Sequence, residues 1–138
     1  MRKIGWILFA GAALAQAPSF QPVGSMSQLM INIIYPTSDA IFYVDRTPPK
    51  TEVEWIALQN QALMLAESGN LLMMPGRARD QDNWVKDAKM MVDAGSAAFK
   101  AARLKDMDGV RAVNDQLYAS CVTCHEQYRT NYPKRRQP

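Results

Sequence analysis

The sequence predicts an all-α protein, an antiparallel four-helix bundle. Three observations carry this expectation. Four long segments have apolar residues recurring at spacings of three and four, proline, glycine and aspartate mark short connectors between them, and no run alternates apolar with polar residues. No glycine-rich phosphate loop and no convincing internal repeat competes with it.

The chain opens with Arg2 and Lys3, an apolar run from Ile4 to Ala13, and small residues at the two outer positions of Ala13-Leu14-Ala15. That order of basic, apolar and small residues is the pattern of an export signal, and residues 1–15 are expected to be removed by cleavage after Ala15. A cut after Ala17 would place Pro18 directly behind the scissile bond. The apolar run is shorter than the ~20 residues needed to span a bilayer, and no cysteine follows it to carry a lipid. The mature chain is therefore expected to be soluble, without a membrane span, and exported. Its residues 16–138 suffice for one compact domain and are too few for two. Formal charge falls from +3 to +1 once Arg2 and Lys3 are removed, so composition gives no argument for a nucleic-acid partner.

Residues 16–24, with Pro18, Pro22 and Gly24, read as an extended leader. Ser25 or Ser27 caps a first helix running to about Val44, with Met26, Met30, Ile33, Ile34, Ile41 and Val44 along one face. Pro36 lacks a backbone donor and pushes Tyr35 from helical angles, so a kink, or a break with a restart, is expected there. Asp45 to Lys50, containing Pro48 and Pro49, is a connector. Thr51-Glu52-Val53-Glu54 has the form of a capping box and opens a second helix that Pro75-Gly76 stops after about Met74. Its residues Trp55, Leu58, Ala62, Leu65, Gly69 and Leu72 follow a bundle seam.

Asp80 or Asp82 caps a third helix reaching about Lys105, with Trp84, Ala88, Met91, Gly95, Ala98 and Ala102 on its seam. The small residues there permit close helix approach or leave room for a bulky ligand. Asp106 to Gly109 turns the chain, with Asp108 as a cap. A fourth helix then carries Val110, Val113, Leu117, Cys121, Cys124 and Tyr128 on one side until Pro133 ends it. The folded domain is expected over 25–132. Residues 133–138, with Lys134, Arg135 and Arg136, form a basic tail that steers an acidic partner or is simply solvated.

The last helix holds the pentapeptide Cys121-Val122-Thr123-Cys124-His125. C-x-x-C-H is the attachment signature of haem c: two thiols form thioethers with the porphyrin and the adjacent imidazole becomes an axial iron ligand. On a helix these three residues stand at i, i+3 and i+4, so one face supplies the whole set. The chain has two cysteines and one histidine, and all three fall in this window. Random placement would give this order and spacing on the order of once in ten thousand arrangements. A zinc site is poorly supported because its other ligands are missing. A redox-active C-x-x-C pair would be expected beside a βαβ pattern, and a structural disulfide is the remaining alternative. Export agrees with haem attachment, which takes place outside the bacterial cytoplasm.

An attachment motif at the C-terminal end of an all-helical domain resembles class II c-type cytochromes, the cytochrome c-prime family and its low-spin relatives. The resemblance spans residues 25–132: a Met-containing first helix, an acidic start and Trp55 in the second, Trp84 in the third, then C-V-T-C-H-E-Q-Y-R, ending in the Tyr128-Arg129 pair. It implies one covalent haem with His125 as proximal ligand, and members divide by what stands on the opposite side of the iron. An open site gives a five-coordinate protein that binds small gases such as nitric oxide. A first-helix methionine gives a low-spin electron carrier.

No second histidine exists, so a protein-derived sixth ligand is expected to be methionine. Met64, Met73, Met74, Met90, Met91 and Met107 read as adaptable core filler. Met30 occupies the family's distal position and is the expected ligand, with Met26, one turn earlier, second. The expected function is a monohaem periplasmic electron carrier that exchanges electrons with periplasmic redox proteins. The alternatives are a gas-binding protein and a haem subunit docked on a periplasmic dehydrogenase. No enzyme is expected, since neither a nucleophile with its base nor a carboxylate pair stands at catalytic spacing. Relatives often pair through the first two helices, so a homodimer is possible by that resemblance.

Overall fold

A computed structural model describes residues 19–129 and 131. The expected signal peptide, the first residues of the leader and the basic tail lie outside the described residues. Residues 19–24 contain no helix. The described residues are all-helical, with no strand: α1 (Met26–Leu29), a π-turn (Met30–Ile34), α2 (Tyr35–Phe42), α3 (Glu52–Leu72), α4 (Asn83–Arg103), α5 (Met107–Ala112) and α6 (Asn114–Tyr128). The first three run on without a gap, as α5 and α6 nearly do, so the chain makes four helical rods, an arrangement compatible with a helical bundle.

Ser25 caps the first rod: its hydroxyl accepts from the Gln28 backbone N–H, and the Gln28 side chain accepts from the Ser25 N–H. Pro36 does not break this rod. In a regular α-helix its ring would press on the carbonyl four residues back. Here the turn before it is widened, and the Tyr35 N–H bonds to the Met30 carbonyl, five residues back. Tyr35 accordingly keeps helical angles, φ −59° and ψ −55°, contrary to the expectation from Pro36. The hydroxyls of Thr37 and Ser38 donate to the Ile33 and Tyr35 carbonyls, at 2.7 and 3.0 Å, so nearby carbonyls keep partners. The rod ends at Phe42, two residues before the expected Val44, which is itself buried.

Thr51 and Glu54 form both halves of the expected capping box at the start of α3. All six expected seam residues of α3 are buried, and so are all six of α4. Asp82 is the N-cap of α4 but makes no side-chain cap bond. That role passes to Asp80, whose Oδ1 accepts the N–H groups of Asp82 and Trp84, each at 3.0 Å. The last turn of α4 closes through Lys105 in the left-handed region, φ 56°, with the Asp106 N–H on the Ala101 carbonyl. The cap of α5 is Asp106, not Asp108: the Asp106 carboxylate accepts from the Gly109 N–H, leaving Asp108 in the first turn. Val113 separates α5 from α6, and α6 ends at Tyr128, short of Pro133.

α3 and α4 share the largest helix–helix contact, and glycine is what permits it. A Cβ on Gly95 would stand 2.7 Å from the Ala66 nitrogen, and one on Gly69 would stand 2.5 Å from a Val92 methyl. These pairs, with the Trp84 indole N–H donating to the Leu72 carbonyl at 2.8 Å, show α3 and α4 antiparallel. α6 runs antiparallel to α4 as well, because Gln116 bonds the Met90 carbonyl while Thr123 bonds Asp87. The first rod starts where α3 ends, with Arg77 donating to the Gly24 carbonyl at 3.3 Å. The core between the rods centres on Ile41, Leu65, Val110 and Leu117, all fully buried. Among the described residues no helix is long and apolar enough to cross a membrane.

Candidate functional site

Cys121, Cys124 and His125 all lie within α6, so their i, i+3, i+4 spacing is realised on one helical face. Each is half-buried, and both cysteines pack against the core. Two cavities meet that face. The larger, about 360 Å³, is bounded by Met26, Met30, Ile31, Trp84, Cys124, His125 and Tyr128, with Arg79 and Arg129 among its walls. The smaller, about 40 Å³, is bounded by Met30, Ile34, Met91, Cys121, Cys124 and His125, with Asp87 beside them. They share Met30, Cys124 and His125 as walls. The larger falls in the range of about 300–1,000 Å³ that small-molecule and cofactor pockets occupy.

The fold thus brings together residues from opposite ends of the chain. Of the methionines expected as core filler, only Met91 borders either cavity; Met26 and Met30 both border the larger, and Met30 borders both. Met64, in contrast, is 46 % exposed on the outside of α3.

The electrostatics of the motif separate its readings. Burial pushes the Cys121 thiol up, and burial followed by the Asp87 charge pushes Cys124 up to about 11. Both are therefore protonated at neutral pH and not bonded to each other. A redox-active pair needs the reverse, an acidic thiol in electropositive surroundings. The His125 pKa is lowered from 6.5, chiefly by burial and then by Arg129, so the imidazole is neutral at pH 7, the form that binds a metal. Among the described residues no group of three or more His, Cys, Asp or Glu side chains could hold a bare metal ion. Two thiols, a neutral imidazole and the Met30 thioether thus border the two cavities.

Three contacts at this site have no counterpart in the sequence reading. Thr123, between the two cysteines, donates to Asp87 Oδ1 of α4 at 2.8 Å. Tyr128 donates to Asp80 just ahead of α4; burial, then this bond, raises the phenol to about 12, and the same bond draws the Asp80 carboxyl below its usual value. The Tyr128 ring also meets Trp84 edge-on, with centroids 5.0 Å apart. The available signal was Asp87 itself, a charge three residues after Trp84 and one before Ala88 on the seam of α4.

No protein-family model, no curated protein and no solved structure matches the chain.

Proposed function

We propose that the protein is an exported class II c-type cytochrome, an antiparallel four-helix bundle with one covalent haem c that works as a one-electron carrier. The observation that most supports this reading is the convergence of Met30 with Cys121, Cys124 and His125 around shared cavities. When bound, the haem iron supplies a reversible one-electron couple.

The chain's own residues account for the rest. Cys121 and Cys124 would hold the ring through thioethers, and their protonated state keeps them from reacting indiscriminately before attachment. His125 presents a neutral imidazole and would be one ligand to the iron. Met30, an uncharged thioether on the first rod, is the proposed second, and a His/Met pair favours a raised reduction potential. Trp84 and Tyr128 wall the site with aromatic surface. Arg79 and Arg129 offer positive charge to the carboxylates at a ring's edge. With His125 and Met30 both held to the iron, such a site would pass electrons to periplasmic redox partners and would not bind substrate.

The test is expression with a haem-attachment system. Replacing both cysteines, Cys121→Ala with Cys124→Ala, should remove covalent haem from a denaturing gel; haem that stays on the chain refutes the proposal. Wild-type protein should give low-spin ferric and ferrous spectra unresponsive to carbon monoxide. Met30→Ala should then create carbon monoxide binding, and an unaltered spectrum would strike Met30 from the ligand set. A high-spin wild-type iron that takes up carbon monoxide would replace the carrier role with gas binding.

A further inference from the structure

The half of α6 that carries the motif is held by partial core burial: Cys121, Cys124 and Tyr128 pack against the core. Leu117 and Ser120 are the buried residues of α6, and from Cys121 to Tyr128 none is fully buried. The helix is continuous from Asn114, so the buried Leu117 sets the rotation of this segment, and partial burial leaves its docking against α4 the weaker feature.

Two polar contacts add to that partial packing. Thr123 donates to Asp87 Oδ1, and Tyr128 donates to Asp80, so the segment is fastened near both of its ends to α4 and its lead-in. Asp87 is the unusual partner. It is 6 % exposed and is the acidic member of the buried polar residues, the others being Thr37, Ser38, Ser68 and Ser120. Those four hydroxyls bond carbonyls of their own helices, whereas Asp87 is bonded by a residue of a different helix. A buried carboxylate is a poor way to stabilise a seam that an apolar side chain could fill. Its acceptor role toward another helix is a specificity device of the kind buried polar groups provide best. The Thr123 hydroxyl also lies 2.8 Å from the Ala119 carbonyl. Its single proton serves one acceptor at a time, and the charged one offers the stronger bond.

We propose that Asp87 and Asp80 are positioning residues that dock the motif-bearing half of α6 against α4 and its lead-in through Thr123 and Tyr128, and so hold the attachment face at the cavity. The role of that face rests on the cytochrome reading above; the positioning itself does not.

The experiment is amide hydrogen exchange on the full chain without haem, compared among wild type, Asp87→Asn, Asp87→Leu and Asp87→Leu with Tyr128→Phe. Wild type and Asp87→Asn, which keeps an acceptor, should protect the amides of residues 119–128 alike. Asp87→Leu should speed their exchange by about tenfold, as expected for loss of a bond to a charged group, and the double variant should speed it further. Amides of the α3–α4 core should not change. Equal protection in wild type and the double variant would overturn the proposal. So would equal damage from Asp87→Asn and Asp87→Leu, loss spread over the whole molecule, or a wild-type motif already unprotected. When haem is then attached, Asp87→Leu should raise the share of product held by one thioether, measured by mass spectrometry. Failure of wild type to take haem would sink the cytochrome reading and leave the exchange result standing.

Discussion

At Gly95 the backbones of α3 and α4 approach so closely that a methyl group meets the Ala66 nitrogen, α-carbon and β-carbon at 2.7 to 3.0 Å. Backbone atoms cannot swing aside as a flexible side chain can. Gly95→Ala should therefore cost about 1–3 kcal/mol, the range of core overpacking, read as a lower urea midpoint with an unchanged slope. Gly95 shows how far single residues could be read from the sequence. Its place on a seam was visible, but two explanations, helix contact or room for a ligand, stood side by side until Ala66 was seen against it. The motif residues were legible because their relation is local: Cys121, Cys124 and His125 share a face on any helix. Asp87 and Thr123 lie 36 positions apart, and only the packing of α4 on α6 makes them partners.

At the scale of the element, the start of α3 is the clearest case of sequence dictating structure. Thr51 bonds the Glu54 N–H, and the Glu54 carboxylate bonds the N–H groups of Lys50 and Thr51. Thr51→Ala should lower stability by about 1 kcal/mol, checked by urea unfolding. The backbone N–H of Lys50, then that of Thr51, holds the Glu54 carboxyl below its ordinary 4.5. A depressed carboxyl stabilises the fold fully above its unfolded pKa and loses that contribution as pH falls through the lower folded value. Melting temperature measured below about pH 4.5 should therefore fall less steeply in Glu54→Gln than in wild type. Other ends were less legible. Asp106 and Asp108 are both good caps by type, and the left-handed Lys105 turn decides for Asp106. Pro36 signalled trouble correctly, but its cure, a carbonyl shared five residues apart, depends on how the first rod lies against α3.

For the whole molecule, the sequence supplied four amphipathic segments and left open which faces meet. The answer centres on α3 and α4, whose small seam residues give the closest approach and the largest helix–helix contact. Stability is accordingly uneven across the chain. Native-state exchange should find amides of Leu65, Ala94 and Ala98, all fully buried, opening only with global unfolding, while residues 19–24 exchange without measurable protection. Equal protection along all four rods would contradict this. The ion pairs of Arg111 with Asp45 and Asp108, and of Lys105 with Glu52, lie on exposed side chains and contribute little to that ranking.

The π-turn at Met30–Ile34 makes the first rod one residue longer than a regular helix of the same span would be. Numerically it is an insertion tolerated inside a helix, and its effect is a change of phase. Upstream of it, Met26, Leu29 and Met30 keep one angular setting, while Ile34, Thr37 and Ile41 downstream keep another, offset by about 100°. Excising the 64 % exposed Ile31 would return the turn to regular α-helical geometry with Met30 still one turn before Tyr35, whereas winding the present residues as a regular helix would turn Met30 away from His125 by about 100°. The sulfur's place in the cavity wall is thus a matter of residue count as much as of residue type.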